Sequence, residues 1–432
     1  MIRAPLTPVD RRRSPYLLAD AERTDRWAVG TEKLALAASA IGVAMLPVLQ
    51  PLGPGNVSPV DALIALALLM TLVWAGSLHH PIRLPYALSV GVIMVGGIIG
   101  ALAGPVPTAG LLAVVQDLVL LAWCAALANL ARTPHALRIL LETWVWSSIA
   151  WAALLLVALA VGAEAISGIT ASEGGRTSLT FGDPNYSANY FFISMMIICA
   201  TRRPSQRAAR IGAYVLLLVS WGLAGSNSGL VSLSVALVVI ALLSTFRKWG
   251  VVPMVGLAGL LLVAAYGVAT TVNLGEIQQS ARFSTSRVVR DWVGRSAESS
   301  NARQTLFRES VDLYYGGGLL GQGPVSTKAR LAAAQEPYVK EAHDDYLASL
   351  LERGLIGALG LLLLISAIIA RTFAGVGRPL ATGFADILPR PNALAGAVLG
   401  CLVAGFVYEL LHVRHVWALF AIIAGLYLWG RE

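Results

Sequence analysis

The sequence is poor in charged residues and in cysteine. Only 13% of its 432 residues are charged and 56% are hydrophobic, whereas a soluble domain carries roughly 25% charged residues. This scarcity excludes a soluble protein and indicates an integral membrane protein. Its three cysteines, Cys124, Cys199 and Cys401, all fall inside hydrophobic runs. They are too few for a disulfide framework or a metal cluster, and we expect them to be packing residues.

The hydrophobic runs are long enough to cross a bilayer, which takes about 20 apolar residues per helix. They are apolar on all sides, which favours helices over the short alternating strands of a membrane barrel. We therefore predict an all-α integral membrane protein with about twelve transmembrane helices. The candidate spans lie near 34–52, 59–78, 84–104, 107–130, 138–162, 185–201, 208–225, 228–246, 249–271, 346–370, 391–409 and 413–430.

The distribution of lysine and arginine predicts the orientation of these spans. The first 33 residues carry seven basic side chains, and alternate loops after them are also basic. The intervening loops at 53–58, 105–106 and 226–227 contain no lysine or arginine. By the positive-inside rule, both termini are cytoplasmic. The net charge of +8 then follows from topology, and we predict no nucleic-acid partner.

One long segment outside the predicted spans breaks this pattern. Residues 272–345 contain nine basic and nine acidic side chains, so their charge does not serve orientation. A loop of this length in a compact bundle is usually functional. We predict four regions: a cytoplasmic segment at 1–33, nine spans over 34–271, an external catalytic loop at 272–345 and three spans over 346–432.

Within this loop, the stretch NARQTLFRESVDLYY has the spacing of an amphipathic helix. Arg303 falls on the apolar face, whereas Arg308 precedes Asp312 by four residues, as in a solvated surface pair. Two interpretations of Arg303 stay open, an anion ligand and a side chain that reaches lipid headgroups. The glycine-rich stretch GGGLLGQGP, residues 316–324, also has two interpretations, a phosphate-binding turn and a simple tight turn.

Four blocks, in this order, resemble motifs of the O-antigen ligase and polymerase superfamily of bacterial membrane glycosyltransferases. The first is R-x4-FGDPNYSANY, from Arg176 to Tyr190, and the second is LAGSNSG at 223–229. The third begins with RQTLF at Arg303 and continues to GGLLGQGP. The fourth is HDDYLASLLERGLIG, which begins at His343. Together the blocks cover roughly residues 165–430, and the first 160 residues match only as generic membrane helices.

The resemblance implies a metal-independent enzyme without a cofactor, in the bacterial cytoplasmic membrane with its active site on the outer side. It implies transfer of a glycan from a polyprenyl diphosphate carrier of the undecaprenyl type to a hydroxyl of an acceptor glycan or glycolipid. The family histidine falls on His343, and the diphosphate-binding arginines fall on Arg176 and Arg303.

Two positions depart from the family pattern. Asn227 stands where many members have a further arginine, and Asp344 replaces the usual asparagine after the histidine. Two interpretations stay open: one cationic contact to the diphosphate is missing, or Arg414 or Arg287 supplies it. We predict that Asn227, Arg287, Arg414 and the motif tyrosine Tyr346 contribute to substrate binding.

The residues by themselves support part of this chemistry. A histidine that titrates near neutrality is the usual base for an acceptor hydroxyl, and His343 is the only histidine of the long loop. Asp344, Asp345 or Glu352 could orient it. The two aspartates also open a predicted helix, where carboxylates cap free amides, and we favour capping over catalysis for them.

Several other polar residues have a structural interpretation as well as a functional one. Asp183, Asn185 and Tyr186 fit a turn and helix cap, which we favour, or an acceptor-sugar site. His412 and His415 are three residues apart, with Glu409 nearby, which is thin support for zinc, so we predict no metal site.

Two further function classes compete with a glycan transferase. A transporter or flippase of lipid-linked glycans predicts charges distributed through the spans to line a path. Asp61, Asp117 and Glu142 lie near the ends of predicted helices instead. A non-catalytic partner of a polysaccharide export complex predicts that Arg303 and His343 can be replaced without loss of product. Ligase and polymerase share a donor, so these residues do not separate them.

Overall fold

The computed structural model describes residues 15–52, 57–77, 81–169, 175–271, 274–285, 305, 308–312, 314–315, 319–335 and 344–431. Within these residues the regular structure is helical, with no β-strand. The predicted all-α membrane fold is confirmed at this level. Arg287, Arg303 and His343 lie outside the described residues.

The α-helices whose bounds the structure describes include one that begins in or overlaps each predicted span. They are α1 (Pro15–Ala44), α2 (Pro59–Gly76), α3 (Ala87–Ala103), α4 (Pro107–Leu130), α5 (Pro134–Ala160), α6 (Glu164–Ser167), α7 (Pro184–Thr201), α8 (Arg207–Ala224), α9 (Asn227–Trp249), α10 (Val251–Thr271), α11 (Leu274–Arg282), α12 (Thr327–Ala333), α13 (Asp345–Gly377), α14 (Thr382–Ile387), α15 (Asn392–Ala404) and α16 (Arg414–Trp429).

Six helices in the described residues are long and apolar enough to cross a membrane, namely α2, α4, α5, α8, α9 and α13. Four shorter apolar helices accompany them: α3, α15, α16 and, within α10, residues Val251–Gly267. Length and composition thus support a multi-pass protein, and the total of twelve spans stays a prediction.

Several helices begin at a proline in the first turn. Pro59, Pro107, Pro134 and Pro184 open α2, α4, α5 and α7. Proline suits this position because its missing N–H would have no partner inside the helix. Before α5, the Thr133 hydroxyl accepts a hydrogen bond from the Ala136 amide at 3.2 Å. These prolines and the Thr133 cap mark the starts of the four helices in the sequence.

The centre of the bundle is built around α7, α15 and α16. In α7, 16 of the 18 residues are buried, as expected of a helix enclosed by other helices rather than by lipid. It packs against α8, α9 and α15. Because α7 and α16 are held on several sides, their ends give a rigid support for the polar residues that follow or precede them.

The closest helix pair is α3 with α13, and glycines allow it. A Cβ atom added at Gly96 would lie 2.5 Å from the Gly357 amide nitrogen, and one at Gly100 would lie 2.5 Å from the Glu352 carbonyl oxygen. At Gly354, α13 has a break, with φ of 65°. The two backbones therefore approach too closely for any side chain at these positions.

The glycine-rich segment docks onto this break. The amides of Gln322 and Gly323 donate to the carbonyls of Leu351 and Glu352 at 3.0 and 2.8 Å. The Leu355 amide donates to the Leu319 carbonyl at 3.0 Å. The amides of Gln322 and Gly323 are therefore occupied by carbonyls of α13, and these two amides are not available to a phosphate group.

We predict opposite effects of alanine at two glycines of α3. Gly100→Ala places a methyl group against the Glu352 carbonyl and should lower the free energy of unfolding by about 1–3 kcal/mol through overpacking. Gly91→Ala is the matched control, because nothing lies within 4 Å of its Cβ position. It should leave stability unchanged or raise it slightly. Thermal unfolding in detergent checks this, and equal unfolding temperatures of the two variants would contradict the packing described.

Candidate active site

The first two sequence blocks meet at the start of α7 and α9. Asp183 is the N-cap of α7, and its carboxylate accepts a hydrogen bond from the Asn185 amide at 2.6 Å. Ser226, the N-cap of α9, donates its hydroxyl hydrogen to Asn185 Oδ1 at 2.7 Å. The asparagine of the FGDPN motif is thus bound to the serine of the SNSG turn.

Arg176 lies beside the same turn. It is half-buried, and the amide of the next residue, Thr177, donates to the Leu223 carbonyl at 3.2 Å. This contact fixes the backbone next to Arg176 at the end of α8. Asn227 is the first residue of α9 and is half-buried as well. The structure therefore brings Arg176 and Asn227 to one end of the bundle.

The fourth block joins this region through Asp345. Asp345 is buried, and its carboxylate accepts hydrogen bonds from the amides of Leu410 and Leu411 at 2.9 and 3.2 Å. Its own amide donates to the Gly405 carbonyl at 2.9 Å. These bonds fasten the loop between α15 and α16, residues 405–413, to the first turn of α13. We call this segment the 405–413 loop.

The 405–413 loop also returns to the first block. The Tyr408 hydroxyl donates to the Asp183 carboxylate. The Tyr186 hydroxyl and His412 Nε2 lie 2.7 Å apart, and the two rings meet edge to face with centroids 5.6 Å apart. Asp183 therefore caps α7 and also anchors the loop. Blocks one, two and four are all connected by hydrogen bonds at this end of the bundle.

Sequence reasoning missed this loop because it predicted helix as far as residue 409. The helix ends at Ala404 instead, and Tyr408 and Glu409 belong to the loop. The available signal was the cluster of polar and aromatic residues in VYELLHVRH, directly before the last span. The two histidines of this stretch have different partners, since His412 contacts Tyr186 and His415 Nε2 lies 3.0 Å from Asn189 Oδ1.

Tyr346 is the motif tyrosine of the fourth block. Its hydroxyl donates to the Leu402 carbonyl at 2.6 Å, and its ring stacks on Phe406 with centroids 4.0 Å apart. Phe406 itself is exposed. Tyr346 therefore supports an aromatic surface of the 405–413 loop, and contact of Tyr346 with substrate stays a prediction.

Arg414 forms a two-bonded ion pair. Its Nε and Nη2 atoms donate to the two carboxylate oxygens of Asp61 at 2.9 and 2.7 Å, and both side chains are largely buried. Such fork-shaped contacts are among the strongest that arginine makes. A substrate diphosphate would have to compete with Asp61 for this arginine. Contact of Arg414 with substrate stays a prediction.

Glu352 contacts the end of the glycine-rich segment. Its carboxylate accepts hydrogen bonds from the Val325 amide at 2.9 Å and from the Thr327 hydroxyl at 2.6 Å. These contacts tie the third block to the fourth. Glu352 thus positions the segment that leads into α12, and orientation of His343 by Glu352 stays a prediction.

Asp344 caps α13, as favoured from the sequence. Its carboxylate accepts hydrogen bonds from the amides of Tyr346 and Leu347 at 2.8 and 3.1 Å. Partial burial raises the pKa of this carboxyl above its ordinary value, while the two amides act in the opposite direction. An asparagine, the usual residue of the family here, offers the same acceptor without a charge to desolvate.

Residues 212–362 match the protein-family model described as O-antigen ligase. No curated protein matches the chain. The matched range runs from α8 into α13 and contains Asn227, Arg303 and His343. Arg176 and Arg414 lie outside it. The match confirms the predicted resemblance over this range, which contains the second, third and fourth blocks but not the first.

We predict that Asp344→Ala lowers the free energy of unfolding by about 1 kcal/mol, because the amides of Tyr346 and Leu347 lose their acceptor. Asp344→Asn keeps the acceptor without the charge, so at neutral pH it should be at least as stable as the parent. Since the carboxyl pKa is raised in the folded protein, the parent should lose stability relative to Asp344→Asn as pH rises through that pKa. Thermal unfolding at acidic and neutral pH measures both effects. Equal stability of the alanine and asparagine variants would contradict the capping role.

Proposed function

Because residues 212–362 carry the O-antigen ligase signature, we propose that this multi-pass membrane protein moves a glycan from a polyprenyl diphosphate carrier to an acceptor hydroxyl. The activity is glycosyl transfer of the ligase or polymerase type in polysaccharide assembly. We place the reaction at the end of the bundle formed by the starts of α7, α9 and α13 and by the 405–413 loop. The proposed location is the outer face of the bacterial cytoplasmic membrane.

The observation that carries this proposal is the meeting of three separate sequence blocks at one place. Asn185 of the first block contacts Ser226 of the second at 2.7 Å. Asp345 of the fourth block binds the 405–413 loop, and Tyr408 of that loop binds Asp183 of the first. These residues are more than forty positions apart in the chain, so only the fold brings them together. A shared site explains why the blocks occur in one sequence.

The reaction requires stabilisation of a diphosphate leaving group. As the acceptor oxygen bonds to the anomeric carbon, the bond from that carbon to the diphosphate oxygen breaks, and its electron pair stays on the diphosphate. Guanidinium groups in a poorly hydrated site stabilise this charge strongly. We assign that role to Arg176 and Arg303, so that transfer proceeds without a metal ion.

The acceptor hydroxyl must also lose its proton. We assign its removal to His343, because an imidazole accepts a proton near neutral pH. His343 directly precedes Asp344, the cap of α13, in the sequence. Asn227 would supply neutral hydrogen bonds to the donor in place of the charge that arginine gives in many members of the family.

We predict that His343→Ala and Arg303→Ala each abolish product formation, while EDTA does not. The assay incubates purified protein with a polyprenyl-diphosphate oligosaccharide and candidate acceptors, and the product is measured by chromatography. Arg308→Ala is the matched control, since Arg308 is exposed and lies five residues from Arg303. It should retain near-parental activity.

The outcomes separate the competing functions. Transport of lipid-linked glycan into or out of vesicles without any new glycosidic bond would identify a flippase. Retained activity in both alanine variants would contradict the assignment of His343 and Arg303. Loss of activity with EDTA would contradict the metal-independent mechanism.

We also predict that Arg303→Lys loses most of the activity, roughly tenfold to a hundredfold, because an ammonium group cannot make the two parallel hydrogen bonds of a guanidinium to phosphate oxygens. The ratio of kcat/KM between this variant and the parent measures the effect. Near-normal turnover would show that a single positive charge is sufficient.

A further inference from the structure

Two arginines share one aromatic ring at the end of the bundle opposite the candidate active site. α16 runs from Arg414, beside that site, to Trp429, and Arg431 follows it. Arg371 lies 26 residues after the start of α13, in the long arm that follows the break at Gly354. The guanidinium carbons of Arg371 and Arg431 lie 5.6 and 5.1 Å from the centroid of the Tyr427 ring.

These arginines differ from other half-buried arginines of the described chain. Arg132 pairs with Glu32 at 2.8 Å, Arg353 pairs with Asp117, and Arg414 pairs with Asp61. Among the described residues, no carboxylate pairs with Arg371 or Arg431. A guanidinium removed from water without an anionic partner is costly, and proteins normally pair it.

The aromatic contacts satisfy only the faces of the two cations. Arg371 also lies over Tyr86, with its guanidinium carbon 4.3 Å from that ring's centroid. Ring faces attract the positive charge but accept no strong hydrogen bond from the N–H edges. Arg371 Nη1 and Arg431 Nε and Nη2 are buried and have no acceptor among the described residues. Within the described part of the chain, these three N–H groups therefore lack an acceptor that a bound anion could supply.

Arg371 and Arg431 are each half-buried, so part of each side chain is reachable from outside, and exposed apolar side chains occur in the neighbouring segments. Tyr427 is 38% exposed, and Leu84 and Leu88 on either side of Tyr86 are 59% and 76% exposed. An approaching group would therefore meet cationic edges next to side chains suited to hydrocarbon. A phosphate offers oxygens that match the guanidinium fork, and an acyl chain attached to it would cover the leucines.

We propose that Arg371 and Arg431 form a binding site for a phosphate-bearing anion, presented by the headgroup of an anionic phospholipid. We place this site at the interface between the bilayer and the aqueous phase, where basic residues attract anionic headgroups. It uses none of the residues assigned to glycan transfer and does not depend on that assignment. Its ligand would anchor the ends of α13 and α16 to each other.

The test uses purified, delipidated full-length protein and three probes: phosphatidylglycerol, phosphatidylcholine and inorganic phosphate. Thermal unfolding and native mass spectrometry measure stabilisation and bound lipid. Phosphatidylglycerol should raise the unfolding temperature by several degrees more than phosphatidylcholine. R371Q and R431Q should each lose at least half of that difference and bind several-fold less phosphatidylglycerol. R378Q, at an exposed arginine that follows α13, is the matched control and should behave like the parent.

Two outcomes would overturn the proposal. Equal phosphatidylglycerol binding by the parent, R371Q and R431Q would remove the site. A full stabilising shift with inorganic phosphate alone would overturn the lipid assignment. Arg431 lies beyond the last helix, so R431Q keeps the test decisive even if R371Q fails to fold.

Discussion

The carboxylate of Asp345 is the contact on which the arrangement of the candidate active site depends. It is buried and accepts hydrogen bonds from two amides of the 405–413 loop at 2.9 and 3.2 Å. Through Tyr408 the same loop binds Asp183, the cap of α7. Three helices that are distant in the sequence, α7, α13 and α16, are therefore held together by a short loop, two amides of which are satisfied by one side chain. Removal of that acceptor would leave buried amides unpaired, at a cost of about 1–3 kcal/mol each.

The features that the sequence predicts correctly are local ones. Helix positions follow from the length of apolar runs, and the cap by Asp344 follows from its place before such a run. The contact of Asn185 with Ser226 was not predicted, although both residues belong to blocks recognised in the sequence. Motif order indicated a resemblance to one family. It did not show which atoms touch, because that depends on how the helices pack.

The features that the sequence does not predict join distant residues. The ion pair of Arg414 with Asp61, a residue 353 positions away, was not predicted. The contacts of Glu352 with Val325 and Thr327 were not predicted either, while its role as a candidate to orient His343 stays a prediction. A charge pattern along the chain identifies a residue that needs a partner, but only the fold decides which partner is nearest. The glycines at 321 and 323 were open to interpretation for the same reason, since close backbone packing and ligand binding both require glycine.

The break at Gly354 has a consequence for how this protein can vary. In a continuous helix, successive residues are rotated about the axis by a fixed angle. The direction in which one side chain points therefore determines the directions of all the others. At Gly354 that coupling is interrupted. The arm from Asp345 to Arg353 is held by the 405–413 loop at its start and by α3 at its end. The arm from Leu355 onward is held by α3 at Gly357 and Gly360. Homologous chains could therefore change the lipid-facing stripe of the second arm without rotating the end of α13 that carries the candidate active site.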